Sequence, residues 1–186
     1  LTGVSVFPFL GDDGVKITAY PEPAAAPAQQ VRPLTPHRLG EAFEKLRDAG
    51  DAFLAKTGKR KQVFMANLGE IAEHNRRSQW MWNFLAAGGI EGLTSDGYKS
   101  PAEAAEAFKA SGAKIACICS SDEVYARDAA ATAQALKAAG AQRVLLAGRP
   151  GEAEAALRAA GVDGFIYAGQ DAVKTLEDLH KALAQS

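Results

Sequence analysis

From Gln62 onward the hydrophobic pattern repeats one cycle: a short apolar run, a polar loop, an Ala-rich stretch of helical spacing, and a glycine that closes it. The apolar runs are Val63 to Ala66, Ile90 to Leu93, Ile115 to Ile118, Val144 to Ala147 and Phe165 to Ala168. The closing segments are Ala86 to Gly89, Ala110 to Gly112, Ala138 to Gly140 and Ala159 to Gly161. Glycine suits the left-handed position that ends a helix, so this recurrent punctuation predicts alternating strands and helices. Strands joined by helical crossovers must run parallel and be covered on both faces, which predicts an α/β fold. The expected arrangement is flavodoxin-like (Rossmann-like), a five-stranded parallel sheet of order 2-1-3-4-5. Ser100-Pro101-Ala102-Glu103 reads as a capping box with proline at the first helical position, opening a helix to about Ser111. Further helices are expected over 122–139, 152–160 and 171–184.

The pattern before Gln62 differs. Residues 1–20 hold two apolar runs around Gly11-Asp12-Asp13-Gly14, a turn signal, and are too few to form a domain. Residues 21–36 contain five of the chain's eight prolines and read as an extended linker. A helix starting at Thr35-Pro36 and ending at Thr57-Gly58 follows, with Leu39, Phe43, Leu46, Phe53 and Leu54 on its apolar face, so 37–61 forms a linker helix ahead of the α/β domain at 62–186. The basic cluster Lys56, Lys59, Arg60, Lys61 reads as a solvated helix end, favoured by the helix dipole. Leu1 is not a methionine and none precedes Met65, so the chain reads as part of something longer.

Charge and cysteine content narrow the function classes. With 21 basic and 22 acidic side chains intermixed, the chain has no electrostatic footprint for nucleic acid or an anionic membrane. No apolar run reaches the ~18 residues of a membrane span and the start lacks a secretory pattern, so a cytoplasmic location is expected. Cys117 and Cys119 sit two apart within an apolar strand and read as buried packing rather than a bridge or metal site.

In such a sheet a ligand lies outside the carboxyl ends of the strands, at the switch between strands one and three. The loop expected at Asn67 to Arg77, carrying His74, would face Ser120-Ser121-Asp122, where the same residues also suit a helix N-cap. Gly148, after strand four, would admit a flat ligand, with Arg149 beside it; turn chemistry explains these residues equally well. A phosphoacceptor site lacks its acidic cluster, because Asn67, Ser120 and Gly169-Gln170 stand at the required places. A dinucleotide site lacks its glycine-rich turn. No catalytic residue is visible.

The stretches TGVSVFPFL, PHRLGEAFEKLRDAGDAFLAKTGKRKQVFMANLG, GGIEGLTSDGY, IACICSSDEVYA and LLAGRPGE resemble, in order, the carboxyl-terminal part of the methylmalonyl-CoA mutase family, most closely its small, non-catalytic subunit. The resemblance implies that residues 1–20 are the tail of a substrate-binding barrel outside this chain. It implies a large catalytic subunit as partner, and adenosylcobalamin as cofactor of an assembled enzyme that interconverts methylmalonyl-CoA and succinyl-CoA. Catalytic members hold that cofactor through a DxHxxG motif whose histidine binds cobalt and is oriented by the aspartate. With His74 as that histidine, Ala72 replaces the aspartate and Arg77 the glycine. The serine-x-leucine of the family reads Ser120-Ser121-Asp122, and its paired glycine reads Ala147-Gly148. Trp80 and Trp82 either add bulk beside the groove or face the core. The expectation is a cobalamin-binding fold whose site is degenerate. If binding survives, it would use His74 as cobalt ligand, with Ser120, Ser121 and Gly148 lining the groove.

Overall fold

A computed structural model describes residues 20–21 and 37–184. The expected turn within residues 1–20, the proline-rich linker at 21–36 and the helix start at Thr35-Pro36 lie essentially outside the described residues. The five strands are β1 (Gln62–Asn67), β2 (Glu91–Leu93), β3 (Ile115–Cys119), β4 (Arg143–Ala147) and β5 (Gly164–Ile166). They pair in parallel in the order β2-β1-β3-β4-β5, as the alternating pattern predicts. The switch point therefore lies between β1 and β3, where Val63 pairs with Ile115 and Asn67 with Cys119.

Every residue of β3 is buried, and only the first residue of β1 escapes burial, so both faces of the sheet need cover. Strand periodicity divides them. Phe64, Ala66, Ala116, Ile118, Val144 and Leu146 face one core layer, roofed by α3 (Pro101–Ser111), α5 (Ala130–Ala138) and α6 (Glu154–Ala159). Val63, Met65, Ile115, Cys117, Cys119 and Leu145 face the other, beneath α1 (Glu41–Thr57), α2 (Ile71–Ala87) and α7 (Ala172–Ala184). Cys117 and Cys119 are thus free, buried packing residues, as their spacing suggests.

Local signals account for the helix boundaries. At α3, the Ser100 hydroxyl accepts from the Glu103 N–H at 3.2 Å, while the Glu103 carboxylate reaches back to the Lys99 N–H rather than to the cap residue's own. Gly58, in the left-handed conformation, ends α1 with its N–H on the Leu54 carbonyl. The segment expected as one helix over 122–139 is instead α4 (Asp122–Val124), a π turn at Tyr125–Ala129, then α5. The helix expected from Glu152 opens with a 3₁₀ turn at Gly151–Ala153.

The basic cluster after α1 is only partly a solvated helix end. Arg60 pairs with Asp51 at 2.7 Å, and Lys61 turns inward, its Nζ 3.1 Å from His180 Nδ1 and 3.0 Å from the His180 carbonyl. Period-based reading misses this because its partner lies more than a hundred residues downstream. Burial lowers the Lys61 pKa from its ordinary value.

Candidate functional site

The expected ligand loop is largely helix. Gly69, at φ 80°, turns the chain after β1, and Glu70 then caps α2 through a reciprocal box with Glu73, whose carboxylate accepts from the Glu70 N–H at 2.7 Å. Two signals for this were present in the sequence: the Glu-x-x-Glu spacing after a glycine, and the helical recurrence of His74, Ser78, Met81 and Leu85, all of which are buried. His74 therefore sits on a helix, not in a loop, and only 4% of its surface is exposed.

Neighbouring positions on α2 serve different surroundings. His74 looks toward the loop after β2, with Nε2 3.0 Å from the Asp96 carbonyl oxygen. That oxygen can only accept, so Nε2 carries the hydrogen. Arg77, three residues on, instead reaches over the switch point. Its Nη1 donates to the Ser120 carbonyl and its Nη2 to Asp122, each at 2.6 Å, and its guanidinium lies 4.9 Å from the centre of the Tyr125 ring. A Cβ on Gly148, whose φ is 149°, would stand 3.6 Å from the same guanidinium, so this glycine forms the floor beneath Arg77.

The serines are committed to the fold. The buried Ser120 hydroxyl donates to the Leu68 carbonyl at 2.7 Å, and the Leu68 N–H bonds the Cys119 carbonyl, which stitches β1 to β3 at their carboxyl ends. Ser121 is the N-cap of α4, accepting from the Val124 N–H at 3.3 Å. Tyr125, unremarked in the sequence, closes the gap between β3 and β4. Its hydroxyl accepts from the Ser120 N–H and lies 2.8 Å from the Ala147 carbonyl and 3.1 Å from the Ile118 carbonyl. Burial pushes its phenol well above the usual tyrosine range, and burial does the same to the Cys119 thiol. Replacing Tyr125 with Phe strands the Ser120 N–H and should cost about 1 to 2 kcal/mol of unfolding free energy, read as a lower urea midpoint at unchanged m-value.

Above Arg77 a cleft of about 570 Å³ remains, bordered by Ala72, Arg76, Trp80, Asp122, Gly148 and Tyr167. Trp80 is 36% exposed and stacks on Phe84, while Trp82 lies on the His74 face of the helix. Arg149 stacks over Tyr167. Ser120, Ser121 and Gly148 thus converge on the cleft, whereas His74 borders a different cavity, with Thr94, Ser95 and Asp96. Among the described residues no cluster of three or more His, Cys, Asp or Glu forms a metal site, and no helix is long and apolar enough to cross a membrane.

No protein-family model matches the chain. Individual proteins do. The chain is 46% identical over 176 residues to the methylmalonyl-CoA mutase small subunit of Streptomyces virginiae, covering 95% of this chain and 26% of that protein. The small subunit from Propionibacterium freudenreichii subsp. shermanii is 36% identical over 178 residues, covering 95% and 26%. That from Porphyromonas gingivalis is 34% identical over 176 residues, covering 94% and 27%. The chain is a homologue of methylmalonyl-CoA mutase small subunits. It spans about a quarter of the length of the curated relatives it matches.

Proposed function

We propose that this chain is the carboxyl-terminal region of a methylmalonyl-CoA mutase small subunit, a cytoplasmic structural partner of a catalytic large subunit. In this reading the assembled enzyme interconverts methylmalonyl-CoA and succinyl-CoA, the adenosylcobalamin is held by the large subunit, and this domain contributes packing rather than reacting groups.

The observation that carries the reading is Arg77. A corrin nucleotide entering between β1 and β3 requires an open, small-residue floor at the switch point. Here that space is occupied by the guanidinium, clamped between Ser120, Asp122, Tyr125 and Gly148. His74 does not fit the cobalt-ligand role either. Its Nε2 is committed to a backbone carbonyl, its Nδ1 is buried, and among the described residues no carboxylate hydrogen-bonds the ring to orient it. The residues present do not fit the cofactor, and no chemical step is assigned to it in this chain.

Absorbance titration with adenosylcobalamin and hydroxocobalamin tests this. The spectra of the mixtures should equal the sum of their components, for the natural chain and for His74→Ala alike. A saturable shift to a histidine-coordinated spectrum, abolished by His74→Ala, would instead make the domain a working corrinoid carrier.

A further inference from the structure

At the amino end of the sheet, away from the switch point, three groups form a chain that the reading above does not use. Lys61 Nζ lies 3.1 Å from His180 Nδ1, and His180 Nε2 lies 2.6 Å from the Gly88 carbonyl. That carbonyl can only accept, so Nε2 carries the ring hydrogen and Nδ1 faces the amine as a base. A nucleophile, a base within hydrogen-bond reach and a third group that orients the base is the arrangement that activates a side chain for attack.

Lys61 differs from other lysines in its company. Lys45, Lys109, Lys137 and Lys181 each pair with a carboxylate, which favours the charged form. Lys61 has no carboxylate partner among the described residues; it meets the His180 ring, the His180 carbonyl at 3.0 Å and the Phe53 ring at 5.3 Å. A neutral amine can still donate to both the imidazole and the carbonyl, so losing the third proton breaks neither hydrogen bond. Partial burial pushes the same way, because it disfavours the ammonium. Only the Phe53 ring favours the charge, and weakly at that distance. The side chain is half-buried, not enclosed.

We infer that Lys61 is an acyl acceptor, modified by small acyl thioesters. Neutral Nζ attacks the thioester carbonyl carbon, and the carbon–nitrogen bond forms as the carbon–sulfur bond breaks. His180 Nδ1 takes the proton that the nitrogen sheds and passes it to the leaving thiolate. The products are an amide on Lys61 and a free thiol. An amide keeps a single N–H, so modification releases one of the two hydrogen bonds to His180. The inference stands apart from the function proposed above, which only supplies thioesters of this class.

The test is to incubate the 186-residue chain at pH 8 with S-acetyl-N-acetylcysteamine and read acetylation peptide by peptide by mass spectrometry. Lys61 should be acetylated at least about tenfold faster than the exposed Lys45, Lys59 and Lys109. Urea below the unfolding transition should leave that rate unaltered. His180→Gln retains a donor and an acceptor but cannot take a proton; with its fold checked by circular dichroism, it should bring Lys61 down to the rate of those three lysines and leave theirs unchanged. The inference is overturned if Lys61 of the natural chain reacts no faster than Lys59, a comparison that needs no variant. It is equally overturned if the Lys61 rate climbs with urea, since the amine is then reached only on opening, or if the folded His180→Gln variant is acetylated at Lys61 as fast as the natural chain.

Discussion

Replacing Gly97 with alanine is expected to remove about 3 to 5 kcal/mol of stability, combining left-side backbone strain with overpacking. Gly97 has φ 123°, a conformation that L side chains rarely adopt. An added Cβ would run into the Gly69 carbonyl oxygen and stand 3.0 Å from His74 Nε2. Neither neighbour can give cheaply. The Gly69 N–H is bonded to the Tyr98 carbonyl, the Tyr98 N–H to the Asn67 carbonyl, and the His74 ring to the Asp96 carbonyl, so moving any of them unpicks the seam that extends β1 past its last residue. Gly112 is the control. It also has positive φ, at 71°, but a Cβ there meets nothing within 4 Å, so Gly112→Ala should cost only about 1 to 2 kcal/mol, the intrinsic left-handed penalty. Urea unfolding of the two variants separates the effects. If Gly97→Ala is no worse than Gly112→Ala, the close packing at this corner is not what holds it.

The same corner shows what a linear reading can and cannot recover. Strand positions and order follow from the alternation of apolar runs with glycine-closed helices, because that pattern is local and repeated. The inward turn of Lys61, the plug formed by Arg77 and the triple anchorage of Tyr125 were not legible, because each depends on a partner brought near only by the parallel crossovers: His180, Ser120 with Asp122, and Ala147. His74 departs from the sequence expectation for another reason. The rule that ligand loops follow the carboxyl ends of parallel strands points to a loop at this histidine, yet Glu70 and Glu73 cap one another and start the helix just before it. That displacement matters to function: His74 and Arg77, three residues apart on the helix, border different cavities, the first beside the loop after β2 and the second at the switch point. The substitution of glycine by Arg77 was visible in the motif; that the guanidinium would fill the vacated space required the positions of Tyr125 and Gly148.

A second large effect is expected at the opposite end of the sheet, where His180 joins α7 to the start of β1 and the end of α2. Its Nε2 lies 2.6 Å from the Gly88 carbonyl, so that nitrogen donates, and its Nδ1 accepts from Lys61 at 3.1 Å. This arrangement requires a neutral ring. Burial, foremost, and the Lys61 charge lower the His180 pKa from the ordinary value of 6.5, against the opposing pull of the Gly88 hydrogen bond. A histidine whose folded-state pKa is depressed binds its proton more readily when unfolded. Its contribution is therefore present in full above pH about 6.5 and is lost as the pH falls from there through the folded-state pKa. Protonation would also set a second cation against Lys61 and remove the acceptor it uses. His180→Phe keeps the volume but strands the Gly88 carbonyl and one Lys61 donor, and should cost about 2 to 3 kcal/mol at pH 8. The decisive comparison is the slope: between pH 7 and pH 5 the natural chain should lose stability more steeply than the variant, so that the two urea-midpoint curves converge in acid. Parallel curves would mean that the ring's protonation state is not coupled to folding and that His180 acts through its shape alone.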